Sequence, residues 1–292
     1  MLVLCAIVGA AGLLAARIAL ASYRGARRDF ERTPSAAIVH HPEEAGIAGL
    51  GEVAFPGAAE RLAAWYVPAR NRAAVVLIHG TNAERSSLLP ETAILAAAGF
   101  GVLALDLPGQ GASAGHTRWG EGEWRAVSSA VDWLSARAEV DPARIGAFGL
   151  SFGGYVLLQA AARDARLRAV ALASTPFDLD AETRRANHRW GPLSELPALW
   201  VLHRCRGNVA DIPPAQALRA LAPRALFVLG GERDVMVPPA ALRQLYDAAR
   251  PPKELWIVAG AGHAQFAKAA PREYPQRLVG FFGRTLGAGA TE

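Results

Sequence analysis

Short apolar segments alternate with helical patterns through most of this 292-residue chain. This alternation predicts an α/β fold with a mostly parallel sheet and helices on both faces, because each parallel connection has to cross back over the sheet. The predicted strands are Leu62–Val67, Ala74–His79, Gly101–Asp106, Ile145–Phe148, Ala169–Ala173, Ala225–Gly230 and Glu254–Val258. Helices are predicted near Arg85–Ala98, Glu121–Ala138, Phe152–Arg163, Ala240–Ala249 and Arg272–Leu286.

One stretch interrupts the alternation. Residues 176–222 are rich in proline and contain no clear strand, so we expect a cap insertion of short helices over the sheet. The predicted organisation is an apolar amino-terminal segment at 1–28, a linker at 29–49 and one α/β domain at 50–288 that carries the insertion.

The amino-terminal segment has three interpretations. Residues 2–16 carry no charge, and the apolar stretch resumes after Arg17 as far as Ala21. A single membrane anchor is the first interpretation, since a bilayer needs about 20 helical residues and an arginine near the end can reach the headgroups. The arginines that follow would then leave the main body of the chain in the cytoplasm. The alternatives are a signal peptide, cleaved near Ala21 to give a secreted or periplasmic protein, and a helix packed on protein.

The charge distribution argues against a nucleic-acid partner. The formal net charge is +5, but residues 1–32 hold five arginines against two acids, which leaves the remainder nearly neutral. A composition of 52% hydrophobic residues excludes disorder as the main state. The two cysteines, Cys5 and Cys205, lie far apart in the chain and predict no structural disulfide.

The segment Gly149-Leu150-Ser151-Phe152-Gly153-Gly154 follows a predicted strand and precedes a predicted helix. A sharp strand-to-helix turn needs glycines on both sides, because the two backbones approach closely, and it leaves the serine hydroxyl exposed. We therefore predict that Ser151 is a nucleophile.

A serine hydroxyl needs a base to take its proton, and the base needs a carboxylate to orient it. His263 lies in a glycine-rich loop directly after the last predicted strand. Asp234 follows the preceding strand and is the favoured carboxylate, with Glu232 as a competitor and Asp178 as a more remote one. Both loops are predicted at the carboxyl ends of parallel strands, where a sheet presents chemistry.

Acyl transfer also needs two backbone N–H groups directed at the developing oxyanion. One is predicted at Phe152, directly after the nucleophile, and the other at Thr81, after an early strand. His79 is interpreted as a structural loop histidine, and residues 106–113 as a scaffold turn beside the site.

These motifs resemble the α/β-hydrolases. In the order of that family they are the His-Gly turn at 79–80, the Asp-x-x-Gly-x-Gly-x-Ser turn at 106–113, the Gly-x-Ser-x-Gly elbow at 149–153, the Gly-x-x-Asp loop at 231–234 and the Gly-x-Gly-His loop at 260–263. The resemblance covers about residues 50–285 and implies Ser151 as nucleophile, His263 as base and Asp234 as its orienting acid, with Thr81 and Phe152 as oxyanion donors. The His-Gly-Thr turn differs from the His-Gly-Gly-Gly turn of many lipases and is closer to the peptidase-like and simple esterase branches, some of which are membrane-tethered.

The resemblance implies a serine hydrolase that cleaves a small-molecule carboxylic ester through an acyl-enzyme. A peptidase or amidase of the same fold, and a hydrolase-like protein that only binds a small ligand, are the alternatives. Two Gly-x-Gly-x-x-Ala strings, at 49–54 and 109–114, lack the strand-to-helix context of a dinucleotide site. Neither His-Glu-x-x-His nor paired cysteines occur, so neither a metal nor a cofactor is predicted.

Overall fold

The computed structural model describes residues 2–30, 40–120, 122–206 and 212–287, without the side chains of residues 2–9 and 29. The chain divides into two compact units. The helical unit comprises Met1–Arg32 and Asp178–Val209, and the sheet unit comprises Thr33–Phe177 and Ala210–Glu292.

The sheet unit contains one eight-stranded sheet within its described residues. Its strands are β1 (Gly51–Pro56), β2 (Arg61–Val67), β3 (Ala74–Ile78), β4 (Gly101–Leu105), β5 (Ile145–Leu150), β6 (Leu167–Ala173), β7 (Ala225–Gly231) and β8 (Lys253–Val258). Their spatial order is β1-β2-β4-β3-β5-β6-β7-β8. The pairs β1–β2 and β2–β4 are antiparallel and the other neighbours are parallel, so the sheet is mostly parallel, as predicted.

Helices connect these strands close to the predicted positions. In the sheet unit they are α2 (Leu89–Ala97), α3 (Trp124–Ser135), α4 (Phe152–Ala161), α7 (Pro214–Leu221), α8 (Pro239–Ala248), α9 (Phe266–Ala269) and α10 (Glu273–Leu286). Short 3-10 turns occur at Pro42–Ala45 and Arg85–Leu88. Every residue of β3 and β4 is buried, because these central strands are covered on both faces.

Strand β1 is absent from the predicted set. It lies at the edge of the sheet, and only Phe55 within it is buried, so it lacks the continuous apolar run of the central strands. An edge strand half-exposed to water alternates polar and apolar residues, and over six residues that pattern is a weak signal.

The helical unit contains α1 (Leu2–Phe30), α5 (Leu179–Ala186) and α6 (Pro192–Arg206), with a 3-10 turn at His188–Trp190. Ala26 of α1 is buried against Ala198 and Val201 of α6. Tyr23 stacks obliquely on Trp200 across the same pair of helices, with ring centroids 5.7 Å apart. Helix α1 therefore packs on protein, which is the third interpretation of the amino terminus.

The predicted transmembrane anchor at residues 1–28 is not found. Among the described residues, no helix combines the length and the hydropathy that a membrane span requires. The uncharged run at 2–16 measures about 22 Å as a helix, against a bilayer core of about 30 Å, and Arg17 ends it.

The predicted insertion at 176–222 does form short helices, but they belong to different units. Helices α5 and α6 lie in the helical unit, whereas α7 packs on α4 and α8 within the sheet unit. Ala217, Leu218 and Leu221 form the buried face of α7. Of the predicted linker at 29–49, residues 31–39 lie outside the described residues.

A buried carboxyl joins α2 to α10. The Tyr274 hydroxyl donates a hydrogen bond of 2.6 Å to Glu91 Oε1, and both residues are buried. Burial raises the pKa of the Glu91 carboxyl above its ordinary value, and the hydrogen bond from Tyr274 offsets only part of this effect.

We expect Glu91→Gln to become increasingly stabilising relative to the wild type as the pH rises. Below about pH 4.3 the Glu91 carboxyl is protonated in folded and unfolded chains alike. Above that pH the carboxyl ionises first in the unfolded chain, because its pKa is raised in the folded chain. The free energy of unfolding of the wild type therefore falls as the pH rises. Urea unfolding of both proteins between about pH 5 and 8 measures the difference, with the exposed Glu44→Gln as control. A difference independent of pH would contradict this prediction.

Candidate active site

Ser151 lies in a sharp turn between β5 and α4. Its backbone adopts φ 54° and ψ −122°, a region that non-glycine residues rarely occupy. The Ser151 N–H donates to Ala173 O at the end of β6, at 2.8 Å, and so fixes the turn to the sheet. The segment therefore forms the sharp strand-to-helix turn that was predicted for it.

The glycines around Ser151 are required by close backbone contacts. A Cβ atom on Gly153 would lie 2.3 Å from the carbonyl oxygen of His79 and 2.4 Å from that of Ile78. A Cβ on Gly149 would lie 2.6 Å from Gly153 O, and one on Gly154 would overlap the Thr175 side chain. Only glycine lets the elbow approach β3 and its own helix this closely.

Asp234 and His263 are brought together by the loops after β7 and β8. His263 Nδ1 lies 2.8 Å from Asp234 Oδ2, the Asp234 side chain is fully buried, and His263 is partly exposed. A hydrogen bond of 2.8 Å from Arg233 N to Ala261 O ties the two loops to each other. The predicted acid and base are therefore neighbours.

The Asp234 carboxylate accepts four hydrogen bonds. Oδ1 accepts from the N–H groups of Met236 and Val237, both at 2.9 Å, and Oδ2 accepts from His263 and from Ser174 Oγ at 2.7 Å. Burial alone would raise the pKa of the Asp234 carboxyl, but the hydrogen bonds from His263, Val237 and Ser174 outweigh burial and hold the pKa below its ordinary value. Asp234 is thus stabilised as a carboxylate.

Ser174 was not predicted from the sequence. It is completely buried directly after β6, and its backbone has a positive φ of 42°. Its N–H donates to Leu229 O at 2.8 Å, which holds the hydroxyl beside Asp234. Its position could have indicated a role in the site, because Ser174 follows the carboxyl end of a strand and that edge of a parallel sheet carries functional side chains.

The competing carboxylates have other partners. Glu232 Oε2 accepts a hydrogen bond of 2.9 Å from Gly260 N, and Asp178 caps α5 by accepting from Asp180 N at 2.7 Å. Neither is hydrogen-bonded to His263. Among the described residues, no hydrogen bond joins the Ser151 hydroxyl to His263, and such contacts often tighten only when substrate is bound.

The two predicted oxyanion donors lie in two different segments next to Ser151. Phe152 is the first residue of α4, and Thr81 lies in the turn after β3. Gly80, beside Thr81, approaches Ser151 so closely that an added Cβ would lie 3.2 Å from Ser151 Cβ. The turn that carries Thr81 therefore runs alongside the serine.

His79 holds this turn in place. It is fully buried, its Nδ1 lies 2.8 Å from Gly80 O, and its Nε2 accepts from Leu107 N at 3.1 Å. Burial lowers the pKa of the His79 imidazole and favours its neutral form. The interpretation of His79 as a structural histidine is confirmed, because backbone groups engage both ring nitrogens.

The turn at 106–113 supports the same loop. Asp106 is buried and accepts from Arg85 N at 2.8 Å, from the Arg85 guanidinium at 3.0 Å and from Ala112 N at 2.8 Å. The hydroxyl of Ser113 donates to Asp106 O at 2.7 Å. This internally bonded turn fits its predicted role as a scaffold.

Two aromatic rings lie beside Phe152, the residue after Ser151. The Phe152 ring lies 5.2 Å from Trp119 and 6.5 Å from Tyr155, measured between centroids, and all three residues are buried. Within the described part of the chain, no cluster of three histidine, cysteine or acidic side chains is placed to hold a metal ion.

Comparison with known proteins places the chain in a family. Residues 86–289 match the family described as prolyl oligopeptidase, which is more than half of the chain. The chain belongs to the prolyl oligopeptidase family. An uncharacterised protein of Mycobacterium tuberculosis is 30% identical over 206 residues, which cover 70% of this chain and 68% of the relative. The uncharacterised protein YfhR of Escherichia coli is 25% identical over 76% of each chain.

Solved structures support the same fold. The esterase Pf2001 of Pyrococcus furiosus superposes with a TM-score of 0.73 at 23% identity, over 88% of this chain and 100% of that chain. The α/β hydrolase GrgF from Penicillium superposes with a TM-score of 0.69 at 24% identity, over 81% of this chain and 99% of that chain. The predicted α/β-hydrolase fold is confirmed, and the chain is a serine hydrolase of that fold.

We expect Gly153→Ala to destabilise this serine hydrolase by about 1–3 kcal/mol or more, because the new methyl group would meet two backbone carbonyls that cannot move independently of β3. Gly283→Ala in α10 is the matched control. A Cβ there has no neighbour within 4 Å, so alanine should stabilise the helix by up to about 1 kcal/mol. Urea unfolding measures both changes, and equal effects of the two variants would refute the steric account of Gly153.

Proposed function

We propose that this chain cleaves a carboxylic ester of a small molecule, with Ser151, His263 and Asp234 as the catalytic triad. The observation that carries the proposal is the strained elbow at Ser151 together with a buried Asp234–His263 hydrogen bond of 2.8 Å at the same edge of the sheet. The order serine, acid and histidine along the chain agrees with the α/β-hydrolase arrangement.

The Asp234–His263 pair would fix the proton on the correct nitrogen. A carboxylate only accepts hydrogen bonds, and the lowered pKa of Asp234 keeps it a carboxylate, so Nδ1 of His263 donates. Nε2 then has a lone pair with which to take the proton of the Ser151 hydroxyl. The same carboxylate stabilises the imidazolium that forms.

The reaction then has two steps. Ser151 Oγ attacks the ester carbonyl, His263 takes its proton, and the N–H groups of Thr81 and Phe152 stabilise the oxyanion. His263 passes the proton to the alkoxide, which leaves as an alcohol. A water molecule, activated by His263, attacks the acyl-enzyme and releases a carboxylic acid and free Ser151.

One observation favours a substrate of low polarity, and another favours an ester bond. The ring of Phe152, whose backbone N–H is an expected oxyanion donor, lies among the rings of Trp119 and Tyr155, so the local surroundings are apolar. The similar structure from Pyrococcus furiosus is described as an esterase. The family description favours a second candidate, a peptidase or amidase that uses the same triad.

We expect Ser151→Ala to lose both fluorophosphonate labelling and ester hydrolysis, because the hydroxyl that forms the covalent bond is absent. Residual ester hydrolysis should be lower by about 10³-fold or more. Ser135→Ala is the matched control, since that hydroxyl only bonds Val131 O on α3. No labelling of the wild type would instead indicate a protein that binds a small ligand without turnover, and equal labelling of Ser151→Ala would place the reactive residue elsewhere and refute Ser151 as the nucleophile.

Assays of the wild type and of Ser151→Ala also distinguish ester from amide substrates. A panel of p-nitrophenyl esters of increasing acyl length is compared with aminoacyl and peptidyl anilides. We expect turnover of the esters that is lost in Ser151→Ala. Turnover of the anilides alone would replace the proposed esterase by the peptidase candidate.

We expect Ser174→Ala to slow ester hydrolysis by about tenfold while fluorophosphonate labelling persists. The buried Asp234 Oδ2 would lose one of its two donors, and a hydrogen bond to a charged group contributes about 1.5–3 kcal/mol. The pKa of Asp234 should rise, so activity should fall further on the acid side than in the wild type. Profiles of kcat/KM against pH measure the effect, and an unchanged acid side would refute the positioning role of Ser174.

A further inference from the structure

Exposed apolar side chains are concentrated in the helical unit. Among residues whose side chains are described, nine large hydrophobic ones are exposed, and seven of these belong to this unit: Leu13, Leu14, Leu20, Trp190, Leu193, Leu196 and Trp200. The unit holds about a fifth of the chain, so the enrichment is strong. Concentrated exposure of this kind marks an interaction surface.

The residues on α6 share one face of the helix. Leu193, Leu196 and Trp200 follow one another at intervals of three and four residues, the spacing of side chains along one helical stripe. Trp190 lies in the 3-10 turn just before α6. Trp190 and Trp200 are 52% and 54% exposed, whereas Ala198 and Val201, on another side of α6, are buried against α1. We call Trp190, Leu193, Leu196 and Trp200 the exposed α6 face.

Arginines flank this face. The Arg189 guanidinium lies 5.6 Å from the centroid of the Trp190 ring, and that of Arg204 lies 5.6 Å from Trp200. Arg27 of α1 lies 6.0 Å from the ring of Tyr23, which itself contacts Trp200. A guanidinium group therefore lies beside each of the three aromatic rings.

The positive charge of the chain is concentrated in the same unit. Residues 1–32 and 178–209 contain ten arginines and six acidic residues, so +4 of the net charge of +5 lies there. Asp180 and Glu195 are moreover paired with arginines of the unit, Asp180 with Arg206 and Glu195 with Arg184, both at 3.8 Å.

We propose that the exposed α6 face docks on the surface of an anionic phospholipid bilayer. Leucine side chains would enter the boundary of the acyl chains, tryptophans would lie at the headgroup level, and arginines would pair with lipid phosphates. A second copy of the chain is a poorer occupant, since it would bring a second surface of the same positive charge. The proposal concerns this face alone and does not depend on the catalytic roles assigned to the sheet unit.

The test uses the full chain and co-sedimentation with vesicles of phosphatidylcholine, with or without phosphatidylglycerol. We expect binding to the vesicles that contain phosphatidylglycerol, weakened by added salt. Leu193→Ser/Leu196→Ser and Arg189→Glu/Arg204→Glu should each weaken it by about tenfold or more, the first by removing apolar contact and the second by reversing charge. All four side chains are exposed, so circular dichroism should find both variants folded.

The matched control is Arg243→Glu/Arg250→Glu, which makes the same change of charge at two exposed positions of the sheet unit. It should bind within about twofold of the wild type. Because every variant retains residues 1–32, unchanged binding of the α6 variants would assign the affinity to the amino-terminal segment and overturn the proposal. The proposal would also be overturned if the wild type did not bind the vesicles, or if the control lost as much binding as the α6 variants. The same holds if the wild type formed a dimer that Leu193→Ser/Leu196→Ser dissociates and did not bind vesicles.

Discussion

The contact between the turn at Ser151 and the end of β3 is the constraint on which the site depends. Gly153 lies against the carbonyl groups of Ile78 and His79, and Gly80 lies against Ser151. This contact brings together two segments that are about seventy residues apart in the chain. Ser151 and the turn of Thr81 are thus held in register by backbone packing, and a larger residue at Gly153 would collide with two carbonyl groups.

A second constraint acts on the acid. Asp234 is a buried charge, which is tolerated only because four donors surround its two oxygens. Two of the donors are backbone N–H groups of the loop that carries Asp234, and they fix the carboxylate. The other two are the side chains of Ser174 and His263, which the carboxylate orients in turn. Removing any donor leaves part of the charge unpaired, so the arrangement is sensitive to single substitutions.

The sequence predicted those features that depend on local pattern. Buried strands appear as apolar runs, and the turn of Ser151 and the loops of Asp234 and His263 appear as short motifs at strand ends. The sheet and the neighbourhood of Asp234 and His263 were therefore predictable. Strand β1 was missed because an edge strand has little apolar content. Ser174 was missed because its role depends on a positive φ and on a partner sixty residues away. The transmembrane anchor was predicted from hydropathy, but no described helix has the length and hydropathy of a membrane span. Hydropathy also does not reveal that Tyr23 and Ala26 of α1 pack on α6.

The hydrogen bonds at the carboxyl edge of the sheet have a consequence for how the protein loses activity. Ser151 is tied to β6, Ser174 to β7, and the loop of Asp234 to the loop of His263. These links form a chain across four neighbouring strands, so partial opening at β8 would displace His263, the proposed base, before the remainder of the sheet separates. Inactivation should then precede global unfolding, and the hydrolytic rate would report the integrity of the last strands more sensitively than the helical content does.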